Sequence, residues 1–432
     1  MGIVRHIGGN FKARAISFRD VTAFIVRNEW ALTLSVTSAL LGFLPLINPP
    51  SIVLPLIGVT GGVATIVLLA KDLRHAFDRH ADWEFCESLP AISRSQGILD
   101  RHLQTTVWMS RGTMVTSAAL NRQLASWDAP VDWRAEDFKL NGELADWAPA
   151  VVLRSTRGRF PYNRACVRLE TDLDEQAAQD RLPLAMRRAR YFDGLASNML
   201  APWTIKRNGI PLRFQDKYLL VDGSADSQHI LLPLSNNALA NIVGVSTLAI
   251  TSDDCLIMPL QSGASASSPY LLAPSGSGSL EFKDIDKNSA ASTVIKGAER
   301  ELMEECGLIQ AHIAGTALIG FGRWLEHGAK PEFNALTALN ICAADIRRRP
   351  RWSDMSESVW TRSISIKPIT CLNYDGDAYS YEGSMAALIT DGESLNGSAS
   401  MPLEFGARSL VDALAHQPDI LTRLRSSQRE ET

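Results

Sequence analysis

The chain has 432 residues, 46% hydrophobic and 21% charged, enough for two or three globular domains. A formal net charge of −4 and the lack of a strong basic run exclude the bulk electrostatics of a nucleic-acid-binding protein. Six scattered cysteines without a CxxC pair exclude a cysteine metal cage and indicate free thiols in a reducing compartment.

The first predicted elements are apolar. Trp30 to Ile47 (WALTLSVTSALLGFLPLI) and Ser51 to Ala70 (SIVLPLIGVTGGVATIVLLA) run for 18 and 20 residues without a charge. At ~1.5 Å rise per residue, about 20 residues cross a bilayer core. Pro49-Pro50 between them forces a turn. Arg5, Lys12, Arg14, Arg19 and Arg27 precede the pair, and Lys71, Arg74 and Arg79 follow it. Basic flanks on both outer ends predict a two-span hairpin in the plasma (inner) membrane with both termini cytoplasmic. Residues 1–29 then form a basic cytoplasmic segment, 30–70 the hairpin, and the remainder lies in the cytoplasm. The lipid bilayer is the first expected partner.

Residues 71–235 read as an α+β linking region of unassigned role. HADWEFCESLPAISR and GILDRHLQTTVWMSR are helical candidates. Ala148 to Thr171 alternates enough to predict strands, and Ala177 to Leu200 predicts a helix. Its cluster RLPLAMRRARYF holds Arg181, Arg187, Arg188 and Arg190, read as a solvated helix face in preference to a phosphate patch. Trp127, Trp133 and Trp147 read as packing residues.

Further on, Val245–Thr251 and Cys255–Gln261 flank Ser252-Asp253-Asp254 as a β-hairpin. Ser275 to Ser279 alternates Ser and Gly and is read as a loop whose Gly276 and Gly278 let backbone N–H groups approach an anion. The stretch AERELMEECGL follows. Helical spacing brings Glu301, Glu304 and Glu305 within an arc of about 100°. Ala298, Leu302 and Ile295 fall on a neighbouring face that packs inward. Gly307 fits the left-handed position that ends a helix. Three carboxylates converging from a pinned helix suit Mg²⁺, a hard cation that takes oxygen ligands, and Arg300 pairs with one of them.

Residues 300–308, Arg-Glu-Leu-Met-Glu-Glu-Cys-Gly-Leu, resemble the second half of the Nudix box, REUxEExGU with U aliphatic, at every defined position. The first half departs from it: Ser292 stands at the box glutamate and Asp286 at the box glycine, with Glu281 or Asp284 able to fold back as a replacement. The resemblance spans about 236–425. It implies an α/β (α+β) fold, a Nudix-type α/β/α sandwich with a mixed sheet, and a closing helix in SMPLEFGARSLVDALAHQPDILTRL. It implies Mg²⁺, or Mn²⁺ in its place, on Glu301, Glu304 and Glu305. Arg300 would orient these carboxylates, and one of the glutamates or a later carboxylate would act as base. Downstream, Glu326 and Glu332 are candidate bases, and Arg323 and Lys330 candidate phosphate contacts. His327 reads as a loop residue. The implied activity is hydrolysis of the pyrophosphate bond of a nucleoside diphosphate derivative. The alternative is a nucleotide-binding sensor of a bacterial signalling or defence system. Both allow a homodimer.

Overall fold

The computed structural model of the protein describes residues 14–25, 27, 67, 71, 83–87, 98–103, 105–109, 111–155, 162–212, 214–222, 229–262, 268–348, 361–368, 372–375, 378–381 and 399–426. The predicted apolar spans therefore lie outside the described residues, apart from Val67. Among the described residues no helix is long and apolar enough to cross a membrane.

The chain is a mixed α/β structure organised on one large mixed sheet. In chain order its strands are β1 (Thr105–Met109) and β2 (Gly112–Thr116). A small sheet follows, from β3 (Val131–Arg134), β4 (Ala165–Leu169) and β5 (Leu184–Arg190), with helices α1 (Gly142–Ser155) and α2 (Tyr191–Leu195) beside it. The large sheet resumes with β6 (Gly244–Ile250), β7 (Cys255–Gln261) and β8 (Gly276–Ser279). Helix α3 (Ala290–Cys306) leads into β9 (Ile313–Trp324), β10 (Lys330–Leu339) and β11 (Thr361–Pro368). Helices α4 (Met401–His416) and α5 (Ile420–Ser426) close the described chain. The large sheet has eight strands in the order β11-β7-β6-β10-β9-β2-β1, with β8 added to β6. β6 and β10 run parallel; the other pairs are antiparallel.

Period-two alternation along β6 sorts its side chains onto two faces. Leu248 and Ile250 pack with Leu403, Ala407 and Leu410 of α4. Ala249, between them, packs with Leu302 and Cys306 of α3. The two long helices thus cover opposite faces of one sheet. The hairpin β6–β7 and the closing helix occur where the sequence placed them.

The upstream half differs from expectation. Within Ala148–Thr171, residues 165–169 are a strand as read, but 148–155 belong to the helix 142–155, because Leu144, Trp147, Ala148, Val151 and Val152 form one buried face. An apolar run such as AVVL fits strand and helix equally. Residues 184–190 are a strand, not a helix. Leu184, Met186 and Ala189 are buried, while Arg187 and Arg188, half-buried on opposite faces of the strand, meet Glu170 and Asp137. Within the two stretches read as helical after residue 71, the described residues contain the strands Trp83–Glu87, Ile98–Leu99 and β1. β2 then pairs with β9, so the segment read as a linker supplies two strands of the large sheet. The three tryptophans pack as expected; Trp147 is fully buried. Near the N-terminus, a helix over 14–25 buries Val21 and Phe24 against Ala148, Val152, Phe192 and Leu195. The five cysteines among the described residues are free thiols.

Candidate functional site

Helix α3 starts at a Ser289 N-cap, whose side chain accepts from Ser292 N at 2.8 Å. It stops at Gly307, where φ is +65°. That left-handed conformation suits a residue without a Cβ. Ala298 and Leu302 are fully buried, and Ile295 is half-buried against the core, as predicted. Anchoring that face turns Glu301, Glu304 and Glu305 together toward a cavity of about 280 Å³. Glu281, Glu332, Lys330 and Gly278 line the same cavity. Glu305 is buried, while Glu301 and Glu304 are partly open.

Arg300 backs this array and is itself buried. Its Nε and Nη2 form a fork on Asp284, at 3.0 and 2.9 Å from Oδ1 and Oδ2. Nη2 also donates to Ser279 O at 3.0 Å. Nη1 donates to Glu301 Oε1 at 2.7 Å and to Glu304 Oε2 at 3.4 Å. Burial opposes the guanidinium charge, but Asp284, Glu301 and Glu281 outweigh it and keep Arg300 firmly protonated. Ser292 donates to Asp286 at 3.1 Å in the first turn of α3. Asp284 takes Arg300, and Glu281 lines the cavity. Burial pushes the Glu281 carboxyl up, yet Arg300, Arg164 and Lys283 more than offset this, so it lies below its ordinary range.

The Ser/Gly stretch is not a loop. It is β8, paired with β6, and its glycines exist for α3. A Cβ at Gly276 would sit 2.5 Å from Leu302 Cα, and one at Gly278 would sit 2.6 Å from Glu301 Oε2. Gly276 is covered by helix backbone and offers no anion cradle; Gly278 keeps one side on the cavity.

Arg323 does not reach the cavity. Glu332 lies opposite Gly322 in the β9–β10 ladder, so Arg323, one residue on, faces the other way. There it is buried, bonding Asp100 at 2.9 Å, Ala329 O at 3.1 Å and Leu232 O at 2.8 Å. Glu326 turns to Thr113 N at 2.8 Å, and burial raises its pKa. Glu332 is buried over Gly244, where any Cβ would collide with its carboxylate. Burial raises its pKa, and the bonded Lys330 opposes that rise.

His327 is the residue the sequence undervalued. It lines the cavity and stacks on Trp324, with ring centroids 3.6 Å apart and planes 8° from parallel. Burial, then the Lys330 charge, push its pKa down to about 3 from 6.5. The imidazole is therefore neutral in the folded protein across the physiological range. A base whose folded pKa is depressed gives up stability as pH falls from about 6.5 toward about 3, because only the unfolded chain takes the proton there. The measurable outcome is a flat His327 ring-carbon NMR shift from pH 8 to pH 5. An inflection near pH 6.5 would show the ring to be solvated.

Among the described residues no three His, Cys, Asp or Glu side chains are grouped to hold a metal ion. Glu281, Glu301, Glu304, Glu305 and Glu332 nevertheless line one cavity.

No family model matches the chain, and no curated protein matches it. Among solved structures the chain is similar to DR0079 from Deinococcus radiodurans, known from a 1.9 Å crystal structure. The sequence identity is 12%, over 39% of this chain and 81% of that one, with a TM-score of 0.25.

Proposed function

We propose that the protein is a Nudix-type, Mg²⁺-dependent hydrolase that cleaves the pyrophosphate bond of a nucleoside diphosphate derivative. It would act on the cytoplasmic face of a membrane in which the apolar residues 30–70 would anchor it. The observation that carries this reading is the single cavity shared by Glu301, Glu304 and Glu305 of the REUxEExGU segment with Glu281 and Glu332, backed by Arg300. Mg²⁺ commonly sits on one or two carboxylates completed by water and substrate phosphates, so a closed protein cage is not required. When bound, the metal would neutralise phosphate charge and acidify an attacking water.

The chain's own residues would do the rest. Glu301, Glu304 and Glu305 would hold the cation. Arg300 fixes the first two of them through Nη1. Glu332 would accept the proton of the attacking water: its raised pKa makes it a stronger base than a solvated glutamate, and Lys330 favours its ionised form. Lys330 would also meet a phosphate oxygen. Neutral His327 would leave the cavity wall uncharged toward the nucleotide.

The test uses the full chain in detergent, because β1 and β2 belong to the large sheet and a C-terminal fragment would lack them. Incubated with a panel of nucleoside diphosphate derivatives, it should release nucleoside monophosphate only with Mg²⁺. The Glu304→Gln, Glu305→Gln double variant should be slower by about 100-fold or more. Ser292 in place of the box glutamate favours the second reading, a sensor that binds without cleaving. Nucleotide-induced thermal stabilisation without metal-dependent turnover would decide for it. The membrane anchor has a separate test: full-length chain that stays soluble without detergent would exclude it.

A further inference from the structure

The cavity lining combines two kinds of chemistry. Glu281, Glu301, Glu304 and Glu305 form an acidic group. Tyr162, Tyr191, Leu195, Met199 and Ile242, with Arg164, form the second. Every residue of that second group comes from the chain upstream of α3. We infer that this upstream wall is a specificity surface for a planar aromatic ring, a nucleobase, carried by the molecule whose diphosphate lies at the acidic group. The inference rests on the proposed diphosphate chemistry for that acidic group.

The wall is assembled at one end of the small sheet. Tyr191 N donates to Arg164 O at 3.0 Å, and Ala165 pairs with Arg190, so Tyr162–Arg164 and Tyr191 stand side by side. The segment is fixed from behind. Asn163 N donates to Asp20 Oδ2 at 2.9 Å, and Asn163 Oδ1 accepts from Phe192 N at 3.1 Å. Phe192 in turn meets Phe24 edge-on at 5.3 Å. A wall held in place before binding loses little side-chain freedom when a ligand arrives.

The wall is also registered against the carboxylates. Val167 N donates to Leu280 O at 3.0 Å, and Cys166 bridges Glu281. Arg164 links the two groups: its Nη1 is 3.0 Å from Glu281 Oε1, and its guanidinium lies 5.9 Å from the Tyr162 ring centroid. Two phenol rings and a guanidinium in one cavity lining are the chemistry on which bases stack. Leu195, Met199 and Ile242 would accept an alkyl chain as well, but the tyrosines and Arg164 favour a ring. At about 280 Å³ the cavity is near the lower end of small-molecule sites, ~300–1,000 Å³, which suits a mononucleotide-sized ligand and not a polymer.

The test is calorimetric titration of the full chain, with Mg²⁺, against four probes: inorganic pyrophosphate, ADP, adenosine and geranyl diphosphate. ADP should bind at least about tenfold tighter than pyrophosphate, the scale of one stacked base. Tyr191→Ala and Tyr162→Ala should bring ADP back toward the pyrophosphate level and leave pyrophosphate unchanged. Tyr191→Phe, which keeps the ring, should bind ADP like wild type. Unchanged pyrophosphate binding also shows that the alanine variants are folded. Equal affinity for ADP and pyrophosphate, geranyl diphosphate binding as tightly as ADP, or alanine variants that keep ADP affinity would overturn the inference. Loss of pyrophosphate binding alone, with adenosine still bound in a tyrosine-dependent way, would strike the diphosphate reading and leave the ring wall standing. No binding of any probe would overturn both.

Discussion

Arg300→Met should destabilise the chain by about 3–5 kcal/mol, the scale for removing one partner of a buried ion pair. The reason lies with Asp284 more than with the arginine. The Asp284 carboxylate is buried, and both its oxygens accept from the Arg300 fork. Without that fork it keeps the donor Glu281 N, at 2.8 Å. A charge left there must be protonated, hydrated or expelled, and each route loosens the turn that carries Glu281 into the cavity. Glu301 and Glu304 lose the same anchor. Arg300→Lys should recover part of the stability, since one ammonium restores charge but not two parallel bonds. Pairing Arg300→Met with Asp284→Asn should recover more, because no buried carboxylate is left uncompensated. Urea unfolding of the four proteins measures this. A single variant within about 1 kcal/mol of wild type would mean that Asp284 finds another partner.

What the sequence revealed follows the range of the forces involved. The second half of helix α3, though not its start at the Ser289 cap, was legible: its buried stripe of Ala298 and Leu302, its three glutamates and its Gly307 stop are local features set by a 3.6-residue period. The hairpin β6–β7 was legible for the same reason. The upstream elements were not. AVVL before Arg154 suits either period, and tertiary burial of Trp147 and Val152 decides for a helix. Leu184–Arg190 hides its alternation under three arginines. Arg323 shows a different limit. An arginine near a glutamate-rich helix invites a phosphate, but strand parity turns it to Asp100, 223 positions earlier in the chain. Tyr162 and Tyr191 join the cavity through pairing of β4 with β5 and attachment of β4 beside Leu280. Neither contact leaves a motif. The different partners of Asp284 and Glu281 likewise needed the fold, since both lie in the same short turn.

Gly276→Ala tests why the carboxylates sit where they do. β8 pairs with β6 opposite Thr247, and α3 lies across it with Leu302 at the crossing. The added methyl would approach Leu302 Cα to 2.5 Å and Glu301 C to 2.8 Å. These are backbone atoms, so no rotamer change relieves the clash. Either α3 lifts from the sheet or β8 leaves its ladder. Overpacking of this kind costs about 1–3 kcal/mol, and a rigid helix backbone as the obstacle puts this substitution at the upper end. The functional effect should exceed the loss of stability. Glu301, Glu304 and Glu305 move with the helix, and a displacement of about 1 Å is enough to cost on the order of 100-fold in a positioned reaction. Gly278→Ala should act differently: the new methyl meets the Glu301 carboxylate, the mobile end of a side chain, so stability should change less while the Glu301 bond to Arg300 is pushed aside. Unfolding midpoints and Mg²⁺-dependent ADP affinity, measured on both variants, separate the two. If Gly276→Ala leaves both unchanged, the helix is not held by its contact with β8. The acidic face would then have to be positioned by Arg300 and Asp284 alone.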